Sequence, residues 1–272
     1  MINYRVRRRE LGVRILVTND DGIFADGLWA LVGELRNIAQ VVVVAPDREL
    51  SAMGTAVSLH QPVRARKVTP VVAGVESYAV EGTPADSVIL ALGKLVKDKV
   101  DLVISGINRG TNLGDDLLIS GTVGAAVTGW LHNLPAFAIS MALGDNLHFG
   151  DAAKFALVLA RKIDSGVLPA NICLNVNLPN LPGRKIKGVT ITYPASRSHT
   201  DTVEERYDDK RQYYWFVRQR MNKPVDEKTD TWAIEQDNIS LTPLLTTLVN
   251  KPSPLIPDSL CSDLFHELQQ IV

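Results

Sequence analysis

Two adjacent carboxylates, Asp20 and Asp21, follow the apolar run Val13-Arg14-Ile15-Leu16-Val17-Thr18 and precede Gly22. Neighbouring carboxylates repel each other unless a proton or a cation intervenes, and a hard divalent cation is the simplest remedy. A solvated Asp-Gly turn is the plain alternative for these three residues alone. Two later loops carry further oxygen donors. Ser51 ends the run Asp47-Arg48-Glu49-Leu50, and Asn108 lies in Gly106-Ile107-Asn108-Arg109-Gly110-Thr111-Asn112-Leu113-Gly114. For Ser51 the competing reading is a turn-capping serine. Two carboxylates, a hydroxyl and an amide carbonyl form an all-oxygen set, which selects Mg²⁺, Mn²⁺ or Ca²⁺ over zinc. The carboxylate charge then roughly cancels that of the cation, and nearby backbone N–H groups tip the site toward an anion. Ser120-Gly121-Thr122 opens a helix whose first-turn N–H groups suit a phosphate, while Gly124 and Ala125 equally suit close packing of that helix on a sheet.

These residues reach one place only if particular elements carry them there. Val13–Thr18 reads as a buried strand ended by Asn19-Asp20-Asp21-Gly22. Leu28, Leu31, Val32 and Leu35 then recur at helical spacing, and Val41-Val42-Val43-Val44-Ala45 is a second apolar strand broken at Pro46. Strand, helix, strand is a βαβ unit with parallel strands, so the loop with Ser51 leaves the same sheet edge as Asp20 and Asp21. Asp101–Gly106 is the next strand and delivers Asn108 to that edge. Ligands bind at the carboxyl ends of strands in open α/β sheets.

The segments 56–59, 63–68 and 75–80 read as an antiparallel excursion from the main sheet. Thr83, Pro84 and Asp86 form a capping box that starts a helix running through Val88, Leu92 and Leu95. Strands are expected at 135–141 and 172–176, with a helix at 151–163 burying Phe155, Leu157, Val158 and Leu159. Beyond Pro179 the βα alternation gives way to short strands, the aromatic Tyr213-Tyr214-Trp215-Phe216-Val217, the strand Asn238–Thr242 and a final helix over 258–270. The long charged and aromatic stretch 195–235 reads as an arm embracing another subunit or as an exposed loop.

Composition narrows the options. A chain of 272 residues with 46% hydrophobic and 22% charged content can bury a sizeable core as one large or two small domains. A formal charge of -1 gives no electrostatic reason for a nucleic acid or an anionic membrane as partner. Cys173 and Cys261 alone make no disulfide framework and fit a reducing compartment. No apolar run approaches the ~20 residues of a membrane span. The arginines at 5, 7, 8 and 9 precede no apolar core of a secretory signal; a solvated tail is the main reading, a contact to another chain the lesser one.

Other chemistries lack their signatures. G-x-G-x-x-G, the P-loop, H-E-x-x-H and G-x-S-x-G are absent, and neither cysteine starts a C-x₅-R loop. The five histidines are scattered, with His60 and His199 the two worth testing.

Thr18-Asn19-Asp20-Asp21-Gly22, Ala45-Pro46-Asp47-Arg48 with Ser51, Gly82-Thr83-Pro84, Ser105-Gly106-Ile107-Asn108 with Asn112-Leu113-Gly114, and Ser120-Gly121-Thr122-Val123-Gly124-Ala125-Ala126 together resemble the stationary-phase survival protein SurE family. The likeness spans roughly residues 13 to 245, with weaker matches at Asn175-Val176-Asn177 and Leu241-Thr242-Pro243. It implies an α/β fold with a Rossmann-like three-layer core and a mostly parallel sheet, β-hairpin excursions, and a C-terminal arm for oligomerisation. The corresponding division is a basic tail over 1–12, a metal- and phosphate-binding core over 13–180, and a β-rich arm with a final helix over 181–272.

The resemblance also implies a cytoplasmic metal-dependent phosphatase acting on nucleoside 5′- and 3′-monophosphates, with short polyphosphate a substrate of some members. One divalent cation per subunit, Mg²⁺ or Mn²⁺, falls to Asp20, Asp21, Ser51 and Asn108. Asp20 or Asp21 would also orient or deprotonate the attacking water. The expected phosphate contacts are Asn19, Asn108, Gly110, Asn112, Ser120, Gly121 and Thr122. Homodimers or homotetramers with exchanged C-terminal elements are expected. Three departures stand out: Ile119 where the family usually has Tyr, Ala52-Met53-Gly54 after Ser51, and the arginine-rich tail. Two rivals come from other classes. A receiver-like signalling module also binds Mg²⁺ through an acidic pair, and a non-catalytic nucleotide sensor would bind a monophosphate yet release no phosphate.

Overall fold

The computed structural model describes residues 12–196, 199–208, 211–220, 226–244 and 259–271. The arginine-rich tail lies outside the described residues. Nine strands form one sheet in the order β3-β4-β2-β1-β5-β6-β7-β11-β8. The parallel centre is β1 (Arg14–Thr18), β2 (Gln40–Pro46), β4 (Glu76–Val80), β5 (Leu102–Arg109), β6 (Ala136–Met141) and β7 (Cys173–Leu178). Antiparallel pairs join β3 (Ala65–Lys67) to β4 and β11 (Asn238–Pro243) to β7, and β8 (Gly188–Ile191) runs parallel to β11. A separate two-stranded hairpin pairs β9 (His199–Asp208) with β10 (Arg211–Arg220).

Alternating side chains divide the sheet between two cores. Ile15, Val17, Val43, Ile104, Phe137 and Ile139 face one layer, while Leu16, Val42, Val44, Val103, Ala136 and Ala138 face the other. On the first face α1 (Asp26–Leu35) packs on α4 (Phe149–Asp164), and α4 on α6 (Ser259–Ile271). On the second, α2 (Pro84–Leu90) packs on α3 (Gly121–Leu131). The second face carries the smaller residues because α3 approaches closely: a Cβ at Gly129 would lie 2.7 Å from the Val103 side chain. The three layers and the mostly parallel sheet follow the α/β expectation.

Local signals set the boundaries. Thr83 caps α2 by accepting from the Asp86 N–H while Asp86 accepts from the Thr83 N–H, which is the capping box expected from sequence. Leu28, Leu31, Val32 and Leu35 are fully buried in α1. The antiparallel excursion needs correction. Residues 56–59 form no strand, and β4 pairs in parallel with β2 within the main sheet, leaving only β3 antiparallel. A short strand shows the same apolar alternation in either direction, so its sequence does not disclose strand polarity. The stretch 195–235 contains β9, β10 and a short helix, α5 (Asp230–Glu235), which Thr229 caps.

The chain leaves β1 toward β2 on one side, and β5 fills the place on its other side. That reversal makes the β1/β5 boundary a topological switch point, where the loops diverge and leave a crevice. Thr18 pairs with Ser105, so Asp20 and Asp21 emerge beside Ile107 and Asn108.

Candidate active site

At the switch point lies a cavity of about 260 Å³ lined by Asp20, Asp21, Ser51, Asn108, Asn112 and Ser120, together with Glu49, Ala52, Arg109, Asp116 and Ile119. Three separate loops therefore deliver the two acids, the serine and the asparagine to one pocket.

Asp20 is the most enclosed of the four. Its Oδ1 accepts from the Thr122 hydroxyl, and its backbone carbonyl accepts from the Leu50 N–H at 2.8 Å. The second bond ties the end of β1 to the loop that carries Ser51. Helix α3 starts against Asp20: a Cβ at Gly121 would lie 2.8 Å from the Asp20 Cβ and 2.9 Å from Oδ2. Gly121 is thus the space that admits the helix N-terminus to the carboxylate. Ser120 caps that helix, its Oγ accepting from the Val123 N–H at 3.2 Å.

Asp21 is half-buried and accepts from the Arg109 backbone N–H at 3.2 Å. Burial pushes its carboxyl up to about 6, with the neighbouring Asp20 charge adding to the rise. Burial also raises Asp20, against the hydrogen bond from Thr122. Both acids therefore sit where a proton or a cation is favoured.

Ser51 donates to Glu49 Oε1 at 2.9 Å, which leaves its oxygen lone pairs for another partner. The Asn108 Nδ2 donates to the Gly110 carbonyl at 2.7 Å, which leaves the carbonyl Oδ1 as the free end of the amide. The pairing of β5 with β6 shifts register between Gly106 and Asn108, an irregularity of the kind that re-aims side chains beside functional sites. The set fits a hard cation: the proposed ligand atoms are oxygens with acceptor capacity left, and among the described residues no histidine or cysteine lines the cavity. No group of three or more His, Cys, Asp or Glu side chains that could hold a metal occurs among the described residues. A hard-cation site in this pocket therefore draws on Ser51 and Asn108 as well as on acids.

The other expected contacts divide. Asn112 lines the cavity but is buried and fixed; its Nδ2 donates to the Ser140 Oγ, and its backbone carbonyl accepts from Asn175 and Asn177. Asn19 is buried behind the pocket wall, with Nδ2 on the Gly22 carbonyl. Gly110, Gly121 and Thr122 stand outside the lining, and the Thr122 hydroxyl is spent on Asp20. No histidine among the described residues lines the cavity; the His199 side chain lies outside those residues. Sequence reasoning missed Glu49, Arg109 and Asp116. It also missed Asp230, a buried acid whose oxygens accept from the backbone N–H groups of Gly114 at 2.8 Å and Ala195 at 2.9 Å. Adjacency to Ser51 and Asn108 could have flagged the first two, whereas nothing local marks Asp230.

The fold and cavity define a Rossmann-like α/β protein whose switch point brings oxygen-bearing side chains from three loops beside a helix N-terminus. A family profile described as Survival protein SurE matches residues 15–201. A protein named 5′-nucleotidase SurE from Dehalococcoides mccartyi (strain CBDB1) is 47% identical over 249 residues, covering 91% of this chain and 94% of that protein. A protein of the same name from Vibrio parahaemolyticus serotype O3:K6 is 41% identical over 249 residues, with coverages of 91% and 94%. The crystal structure of the SurE protein from Aquifex aeolicus superposes with a TM-score of 0.74 at 36% identity, covering 87% of this chain and 95% of that one. The chain belongs to the SurE family.

Proposed function

We propose that the protein is a metal-dependent phosphatase that hydrolyses nucleoside 5′-monophosphates to nucleoside and phosphate, and also accepts 3′-monophosphates and short polyphosphate. One observation carries the reading: Asp20 and Asp21, at the switch point, share a single cavity with Ser51 and Asn108. The relatives' name, 5′-nucleotidase SurE, supports the substrate class.

Asp20, Asp21, Ser51 and Asn108 would hold one divalent cation, Mg²⁺ or Mn²⁺. Bound there, it supplies positive charge to the transferring phosphoryl group. The chain's own groups do the rest. Thr122 fixes one oxygen of Asp20, so Asp20 serves as a rigid anchor. Asp21 is more open, and a carboxylate raised to about 6 is the better of the two for orienting or deprotonating water near neutral pH. The N-terminus of α3, which starts against Asp20, adds positive potential beside the developing negative charge on the phosphoryl oxygens.

The exposed Val203, Tyr207, Tyr214 and Phe216 of the β9–β10 hairpin support a homodimer or homotetramer built through this arm. The two free cysteines suit a cytoplasmic location, and among the described residues no helix is long and apolar enough to cross a membrane.

Phosphate release from nucleoside monophosphates, measured with Mg²⁺, Mn²⁺ or chelator, tests the reading. Cation-dependent release is expected, and it vanishes in Asp20→Asn and Asp21→Asn. Binding of a monophosphate without release would identify a sensor instead.

A further inference from the structure

The cavity holds a charge problem that its cation set alone leaves unsolved. Four carboxylates line it, those of Asp20, Asp21, Glu49 and Asp116, and a divalent cation offsets only two. Asp116 is neutralised from outside by the Arg218 guanidinium at 3.0 Å. A phosphate monoester would still meet net negative charge. Among the described residues, one cationic side chain lines the cavity, that of Arg109.

Arg109 is placed by its backbone rather than by its side chain. Its N–H donates to Asp21 Oδ2 at 3.2 Å, and the next residue, Gly110, accepts from the Asn108 amide at 2.7 Å. Both bonds fix the chain at the end of β5 while the side chain remains exposed at the cavity wall. The guanidinium makes no hydrogen bond or ion pair among the described residues, although four carboxylates line the same cavity. Arg14, Arg48, Arg64, Arg206 and Arg218 pair with acids, and Arg109 differs from the other arginines without an acidic partner in lining this cavity. An arginine held at an acidic cavity with its planar fork unspent is built for an anion that arrives from solution.

We infer that Arg109 is a substrate-binding residue whose guanidinium clamps the phosphate of the nucleoside monophosphate, on oxygens other than the one facing the cation set. The clamp acts on ground state and transition state alike, because the phosphate carries negative charge throughout. It therefore sets KM more than kcat.

The inference rests on the phosphatase reading, and Arg109→Met and Arg109→Lys test it in the full chain. The measurements are KM and kcat for a nucleoside 5′-monophosphate, the inhibition constant of orthophosphate, and Mn²⁺ binding by calorimetry. Arg109→Met is expected to raise KM and the orthophosphate inhibition constant together, by on the order of tenfold to a hundredfold. The same variant keeps kcat within about threefold and Mn²⁺ affinity near that of the wild type. Arg109→Lys restores part of the loss, since it returns the charge without the fork. KM and orthophosphate inhibition both within about twofold of wild type would overturn the inference, as would a fall in kcat with KM unchanged. The two readings fail differently: a wild-type protein that releases no phosphate sinks the phosphatase reading and takes this one with it.

Discussion

At the residue scale, the site depends on a buried acid, Asp20, beside a half-buried one, Asp21, both of which burial pushes toward the protonated form. Asp21, raised from 3.8 to about 6, gives a pH prediction with a definite sign. A carboxyl raised in the folded state favours folding while protonated. That contribution is complete below the unfolded pKa of 3.8 and is lost as pH rises through about 6. In metal-free protein, the unfolding free energy of wild type minus that of Asp21→Asn should therefore fall between pH 4 and 6 and then level off. Denaturant titrations across that range check this, and saturating Mn²⁺ should abolish the fall by replacing the proton. That Asp20, Asp21, Ser51 and Asn108 meet at one sheet edge was legible in the sequence because each lies at the end of an apolar strand of a parallel βα array or in the loop that leaves it. Their partners were not legible. Thr122 reaches Asp20, and Asn175 and Asn177 hold Asn112, across long stretches of chain, by contacts that only the packed sheet creates.

At the element scale, α3 is the part that must fit. A Cβ at Gly124 would overlap the Gly54 carbonyl, in the loop that follows Ser51, and Gly54 in turn bonds the Ile119 carbonyl through its N–H at 2.7 Å. Gly124→Ala should push that loop away, lowering stability by roughly 1–3 kcal/mol in urea titrations and weakening Mn²⁺ binding in the same preparation. Thr83→Ala removes the cap of α2 and the bond that the Thr83 hydroxyl donates to the Ala56 carbonyl at 2.6 Å, and should cost about 1–2 kcal/mol in the same titrations. The sequence disclosed the βα alternation because apolar runs, caps and glycines are local signals. It concealed the parallel pairing of β4 and the strand β9, whose run His199-Thr-Asp-Thr-Val-Glu-Glu-Arg-Tyr-Asp has little apolar alternation and gains its pairing from β10.

At the scale of the whole molecule, the arm and the cavity are mechanically joined. Arg218 of β10 bonds Asp116 at 3.0 Å and Asp115 at 3.4 Å, and Asp230 ties the Gly114 N–H to the Ala195 N–H near the foot of β9. Half-exposed ion pairs contribute little to global stability, about 0–1 kcal/mol. Arg218→Ala should therefore leave the unfolding free energy nearly unchanged while speeding hydrogen exchange in β9 and β10 severalfold. Exchange indistinguishable from wild type would show that the hairpin is held by other contacts.

The central claim is that oxygens from three loops meet on one cation. Anomalous diffraction from crystals grown with Mn²⁺ tests it most directly. The account predicts one peak per subunit, roughly 2.0–2.3 Å from oxygens of Asp20, Asp21, Ser51 and Asn108. A peak coordinated elsewhere, or bound by the two aspartates with Ser51 and Asn108 turned away, would contradict it.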